Sequence, residues 1–210
     1  MTVIAITGPT GAGKSIASGV FKSRGIPVLD LDNIYHEILV PGSACVKELA
    51  GSFGERILRA DGTVDRTVLS SLVYGHPEQL KKLNLITHTH IREEVERRVL
   101  RLSDEGVPCV VLDAPTLFDS PLSWPVDRVI SVIADENIRH ERIKARDHLT
   151  DDEALRRIRA QHGPDFYASR SDLTFVNDGN DKQSASEAFR QSLVRALDEW
   201  HMNHLAEVFR

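Results

Sequence analysis

The sequence predicts an α/β fold, with a five-stranded parallel sheet and helices on both of its faces. Three observations carry that expectation. First, five short apolar runs stand out: Val3–Thr7, Pro27–Asp32, Cys109–Ala114, Arg128–Ala134 and Leu173–Asn177. Most are continuous Val/Ile/Leu stretches rather than alternating ones, which is how strands covered on both faces read. Second, helical patterns separate the runs, so the chain is built from right-handed βαβ units. Third, a glycine-rich segment, Gly8-Pro9-Thr10-Gly11-Ala12-Gly13-Lys14-Ser15, lies between the first run and the first helical pattern.

The elements follow in order. A helix is expected from Lys14 through Val20 and Phe21, with Gly25 closing it in a left-handed conformation. After the second run, a short helical stretch at Ile34–Leu39 meets breaks at Pro41-Gly42, Phe53-Gly54 and Asp61-Gly62. Pro77 opens a long helix. Its stripe is Leu80, Leu83, Ile86, Ile91, Val95, Val99 and Leu102, and Gly106 ends it. The second and third strands are thus joined by about seventy residues, whereas a simple crossover needs about a dozen. The excess is expected to be a helical substrate-binding insertion. The arginine-dense stretch Asn137–Gln161 is expected to be a helical hairpin: Asp147-His148-Leu149 forms its turn, and Thr150-Asp151-Asp152-Glu153 is a capping box. Ser184–Arg210 is expected to supply one or two amphipathic helices.

Composition narrows the function class. The chain has 210 residues, 41% hydrophobic and 27% charged, in the range of a globular domain. A formal net charge of −5 argues against a general nucleic-acid or membrane surface. Cys45 and Cys109 have no metal-ligand spacing and are expected to be inert thiols in a reducing cytoplasm. The N-terminal residues lack the pattern of a signal peptide, and no apolar run approaches membrane-spanning length. The oligomeric state is open at this point.

The chemistry begins at Gly8-x-x-x-x-Gly13-Lys14-Ser15, a complete Walker A pattern in strand–loop–helix context, which predicts a P-loop NTPase fold. Its glycines let consecutive backbone N–H groups close around a phosphate, and the helix N-terminus adds partial positive charge. Lys14 would place a mobile charge between the β- and γ-phosphates, and the Ser15 hydroxyl would ligate magnesium. No Asn-Lys-x-Asp follows the later strands, so a guanine-reading GTPase is disfavoured. Small size, a helical insertion and an arginine-rich hairpin point to a small-molecule kinase whose hairpin is a lid that excludes water. The second run ends Asp30-Leu31-Asp32, and ligands bind at the carboxyl ends of such strands. Asp30 and Asp32 alternate by two and could point the same way if the segment is extended. Asp32 could accept or orient the proton of an acceptor hydroxyl, or it could simply cap a helix beginning at Asn33.

The ordered motifs resemble the dephospho-CoA kinase family, from Ile4 to about Gly179. The similar segments are Asp30-Leu31-Asp32-Asn33-Ile34-Tyr35-His36, Val40-Pro41-Gly42, Phe53-Gly54, Asp61-Gly62-Thr63-Val64-Asp65-Arg66 and Asp113-Ala114-Pro115-Thr116-Leu117-Phe118-Asp119. Arg142, Arg146-Asp147, Gln161 and Asn177 fall at matching places. The resemblance implies ATP- and Mg2+-dependent phosphorylation of the ribose 3′-hydroxyl of dephospho-CoA, with small-molecule partners only. It implies catalytic roles for Asp32, Lys14, Arg142 and Arg146, the two arginines clamping phosphates. ATP contacts are implied at Gly8, Thr10, Gly11, Ala12, Gly13, Lys14, Ser15, Ile16 and Asn177. Acceptor contacts are implied at Asp32, His36, Arg66, His88 and Pro115. The division implied is a core of residues 1–33, 107–136 and 163–210, an acceptor domain of 34–106 and a lid of 137–162.

The chain departs from the family pattern at Ile16, at Thr87-His88-Thr89-His90, at Thr116 and Asp119, and in the first lid helix, where Arg139 stands near the usual glutamine. Two other functions stay open on this basis: a kinase for another hydroxyl or a nucleoside monophosphate, and a nucleotide-binding paralogue without turnover. His88 and His90 read as a surface or pocket pair rather than metal ligands. Arg156, Arg157 and Arg159 read as a solvated face, and Trp124 and Trp200 as packing residues.

Overall fold

A computed structural model describes residues 1–119, 124–179 and 181–210. Residues 120–123, inside the expected core segment 107–136, and residue 180 lie outside the described residues. The chain forms two compact units. The first comprises Met1–Leu29, Ser103–Leu117 and Val126–Arg210; the second comprises Asp30–Leu102 and Phe118–Pro125.

The sheet is built from β1 (Thr2–Thr7), β2 (Val28–Asp30), β3 (Cys109–Asp113), β4 (Arg128–Ile133) and β5 (Leu173–Val176), in the order β2-β3-β1-β4-β5. β1 runs parallel to both β3 and β4, and β4 runs parallel to β5. On central β1, the consecutive residues Ile4, Ala5 and Ile6 are all fully buried, so both faces are covered and the run needs no polar alternation.

In the first unit, α1 (Lys14–Ser23) follows the glycine-rich loop, with Gly25 at φ 75° just beyond its end. The tail forms two helices, α9 (Lys182–Glu199) and α10 (Asn203–Phe209), hinged at His201 with φ 59°. Phe21 of α1 meets Phe189 and Phe209 edge-on at 6.2 and 5.2 Å, and Phe175 of β5 meets Phe189 at 5.3 Å. These rings join α1, α9 and α10 to the sheet in one core. Trp200 packs against that core, with the Arg128 guanidinium 5.5 Å from its ring centre. The hairpin of α6 (Glu136–Asp147) and α7 (Asp151–Arg159) turns at His148, φ 54°, and Thr150 and Glu153 form the full capping box. Ile143, Ala154 and Ile158, with Leu149 against them, make its own small core. The short α8 (Pro164–Ala168) leads back to β5.

The second unit holds α2 (Leu31–Ile38), α3 (Ala44–Phe53), α4 (Arg66–Val73) and most of α5 (Pro77–Asp104) around Leu39, Val46, Leu49, Phe53, Ile57, Leu69 and Ile86. Three expectations are corrected here. β2 stops at Asp30, so Asp30 and Asp32 do not share an extended segment. α2 starts at Leu31, ahead of Ile34, because the Asp30 carboxylate accepts the backbone N–H groups of Asp32 and Asn33. The apolar stripe of α5 is not buried from its first turn, since Leu80 is 45% exposed. Among the described residues, no helix is long and apolar enough to cross a membrane.

Candidate active site

The loop between β1 and α1 is held in one conformation by what surrounds it. Gly13 caps α1 with φ 90°, and a Cβ there would stand 2.3 Å from Asn177 Nδ2. Gly11 has φ 78°, and its Cβ would stand 2.8 Å from the carbonyl oxygen of Arg139. Both positions exclude any side chain, on backbone and on space. The first turn of α1 has neither a side-chain cap nor an acidic residue, so its N–H groups and dipole keep their positive end. Lys14 Nζ folds back to donate to Gly8 O at 2.8 Å. Ser15 is exposed in that first turn. One turn further, Ser18 Oγ donates to Asp113 Oδ2 at 2.6 Å, which places a carboxylate at the end of β3 beside α1. Thr7 Oγ1 donates to the carbonyl of Pro115 at 3.4 Å.

The loop's peptide groups are gripped from α6, from the end of the hairpin and from β5. Arg139 is 2% exposed, and its Nε donates to Thr10 O at 2.9 Å. Desolvation pulls its pKa below arginine's ordinary value. The Thr10 N–H donates to Gln161 Oε1 at 2.8 Å. Arg142 Nη1 donates to Asn177 O at 3.0 Å and, more weakly, to Gly11 O and Ala12 O at 3.4 Å; its Nη2 donates to Gly179 O at 2.6 Å. Asn177 is buried, and its Nδ2 donates to Ala12 O at 2.7 Å. A fork of fixed donors suits such a cluster of carbonyls. Arg146 chelates the Asp147 carboxylate at 2.8 and 2.9 Å, and Arg157 pairs with the same carboxylate. The Arg146 hydrogen bonds lead in pulling the Asp147 pKa down to about 2. Both arginines expected to clamp phosphates are therefore engaged with protein groups in this structure.

In the second unit, Asp32 is exposed in the first turn of α2. The cap of that helix is Asp30, so the capping alternative for Asp32 falls away. His36 lies one turn beyond Asp32 on the same helix face. Its Nδ1 stands 2.7 Å from Arg66 Nη2. Arginine offers only donors, so Nδ1 is the acceptor and the ring proton sits on Nε2. Arg66 is placed by local chain chemistry. Leu58 and Val64 bridge as a small antiparallel pair, and Asp65 then caps α4 by accepting from the N–H groups of Thr67 and Val68. His88 is half-buried on α5. Burial lowers its pKa, and the charge of Asp119 opposes that shift. His90 Nε2 pairs with Glu48 at 2.8 Å.

Three contributors had no role assigned from sequence: Asp113, Arg139 and Gln161. Asp113 carried a signal, since a carboxylate closing an apolar strand beside a P-loop stands where a magnesium ligand would. Arg139 and Gln161 carried none of this kind, because their partner Thr10 lies 129 and 151 residues away in sequence.

A family model described as dephospho-CoA kinase matches residues 2–183. A dephospho-CoA kinase of Moorella thermoacetica is 36% identical over 210 residues, covering 99% of this chain and 95% of that one. One of Carboxydothermus hydrogenoformans is 32% identical over 200 residues, covering 95% of each. A Thermus thermophilus crystal structure superposes with a TM-score of 0.73 at 29% identity, covering 94% of this chain and 97% of that one. The chain belongs to the dephospho-CoA kinase family, the kinases of the final step of coenzyme A biosynthesis.

Proposed function

We propose that the chain uses the Gly8–Ser15 loop to hold the triphosphate of ATP and transfers its γ-phosphoryl group to the ribose 3′-hydroxyl of dephospho-CoA. The observation that carries this reading is a loop whose three glycines admit no side chain and whose carbonyls are tied down on several sides, with an uncapped, acid-free helix start behind it. Such a cradle is pre-ordered for an anion. Lys14 exchanges the Gly8 carbonyl for the β- and γ-phosphates. Gly11, Gly13, Lys14 and Ser15 present the backbone amides, while the Ala12 and Ile16 N–H groups donate to Pro9 O and Gly13 O. Arg142 and Asn177 act through the loop, holding its carbonyls.

Two oxygen donors suit a magnesium ion: the exposed Ser15 hydroxyl and the Asp113 carboxylate beside α1. Magnesium bound there would neutralise charge on the phosphates. Asp32 accepts or orients the acceptor hydroxyl proton, with positioning counting for more than basicity. Residues 34–106 hold the acceptor, through His36, Arg66 and His88, and Pro115 is a further acceptor contact. Residues 137–162 act as the lid. Arg139 and Ile143 of α6 stand against Gly11, so the hairpin meets the loop through its first helix. Buried, unpaired Cys45 and Cys109 fit a reducing, cytoplasmic setting.

An ADP-release assay tests the reading. Dephospho-CoA is expected to accelerate ADP formation strongly. Asp32→Asn is expected to lower kcat about 10²–10⁴-fold while leaving KM for ATP within about twofold. No acceleration by dephospho-CoA would contradict the function. Unchanged turnover in the variant would remove Asp32 from the mechanism.

A further inference from the structure

Both polar atoms of the Thr10 backbone are claimed by the lid hairpin, and from its two opposite ends. Arg139, in the first turn of α6, donates to the Thr10 carbonyl at 2.9 Å. Gln161, two residues after α7, accepts from the Thr10 N–H at 2.8 Å. The Thr10 N–H is thus committed to Gln161 and not offered to a phosphate. Gln161 is itself exposed, while Arg139 is almost wholly buried and pressed on the loop through its backbone. The two links therefore differ in kind. Arg139 is a buried anchor, and Gln161 is a solvent-exposed link at the hairpin's exit.

We infer that the Thr10 peptide group couples the hairpin to the phosphate loop and that Gln161 is a positioning residue for nucleotide binding, acting through the loop and not by touching ATP. This inference rests on the proposed ATP site. With Gln161 seated, the loop is pre-ordered and nucleotide binding spends little on arranging it. With Gln161 withdrawn, the Thr10 N–H is unpaired and the loop must be ordered by the ligand. Such a contribution acts equally on ground and transition states, so it changes affinity and spares kcat.

Gln161→Met removes the acceptor at nearly constant shape, and Gln161→Glu keeps an oxygen at the same reach. For the Met variant, titration calorimetry is expected to give about tenfold weaker binding of both ATP and ADP, with kcat at saturation within about twofold. Amide exchange by NMR is expected to show Thr10 losing protection in the Met variant and keeping it in the Glu variant, with the melting temperature of both close to that of the parent. Unchanged ADP affinity together with unchanged Thr10 protection would overturn the coupling. So would a loss confined to kcat, which would make Gln161 a transition-state contact, or a lowered melting temperature with unchanged affinities, which would make it purely structural. A parent protein that binds no ATP would overturn the ATP site beneath the inference as well.

Discussion

Gly13 shows how tightly single residues are specified. A methyl group there would stand 2.3 Å from the Asn177 amide while φ sits at 90°. Gly13→Ala must therefore strain the backbone or expel Asn177 from Ala12 O, costs of roughly 1–3 kcal/mol each. ATP affinity is expected to fall at least about tenfold with far-ultraviolet circular dichroism unchanged. Parent-like affinity in calorimetry would show that the loop tolerates the side chain. Gly13, Lys14 and Ser15 were legible in the sequence because their chemistry is local: backbone freedom, one ammonium and one hydroxyl at the start of a helix. The partners of the arginines were not. Arg142 finds carbonyls at Gly11 and Ala12, 131 and 130 residues away, and nothing in its neighbourhood announces that. Asp32 lies between these cases. Its residue type was legible, but its setting was fixed by a neighbour, since Asp30 takes the helix cap and turns the chain before Asp32 is reached.

At the scale of elements, helix ends were the most legible features. The capping box at Thr150, the left-handed Gly25 and Gly106 and the proline at the start of α5 stand where their side-chain and backbone preferences put them. Strand ends were less legible, because an apolar run such as Pro27–Asp32 does not say where a cap will interrupt it. The hairpin carries a pH prediction. The Asp147 pKa in the folded chain is about 2, below the usual 3.8, so its pairing contributes fully above about pH 4 and fades as pH falls toward 2. Carboxyl NMR is expected to place the Asp147 midpoint near 2, and Arg146→Gln is expected to raise it. An ordinary carboxylate midpoint in the parent would contradict the pairing. α10 lies beyond the stretch matched by the family model. Phe209 is 1% exposed against Phe21 on the helix that carries the phosphate loop. Phe209→Ala is expected to cost about 3–5 kcal/mol, lowering the melting temperature by roughly 10 °C. A thermal scan showing no change would mean that α10 does not brace α1.

For the whole molecule, the parallel sheet followed from continuous apolar runs. The sequence carried less about the coupling of loop to hairpin, which depends on contacts closed only when the chain is folded. Under the proposed function, one loop holds the phosphate donor while Asp32 meets the acceptor hydroxyl. A crystal structure with ADP and dephospho-CoA bound tests it most directly. The predicted result is a β-phosphate within hydrogen-bonding distance of the amides of Gly11, Gly13, Lys14 or Ser15, and the ribose 3′-oxygen in hydrogen-bond contact with the Asp32 carboxylate. A diphosphate seated outside that loop, or a 3′-oxygen facing some other residue, would contradict it.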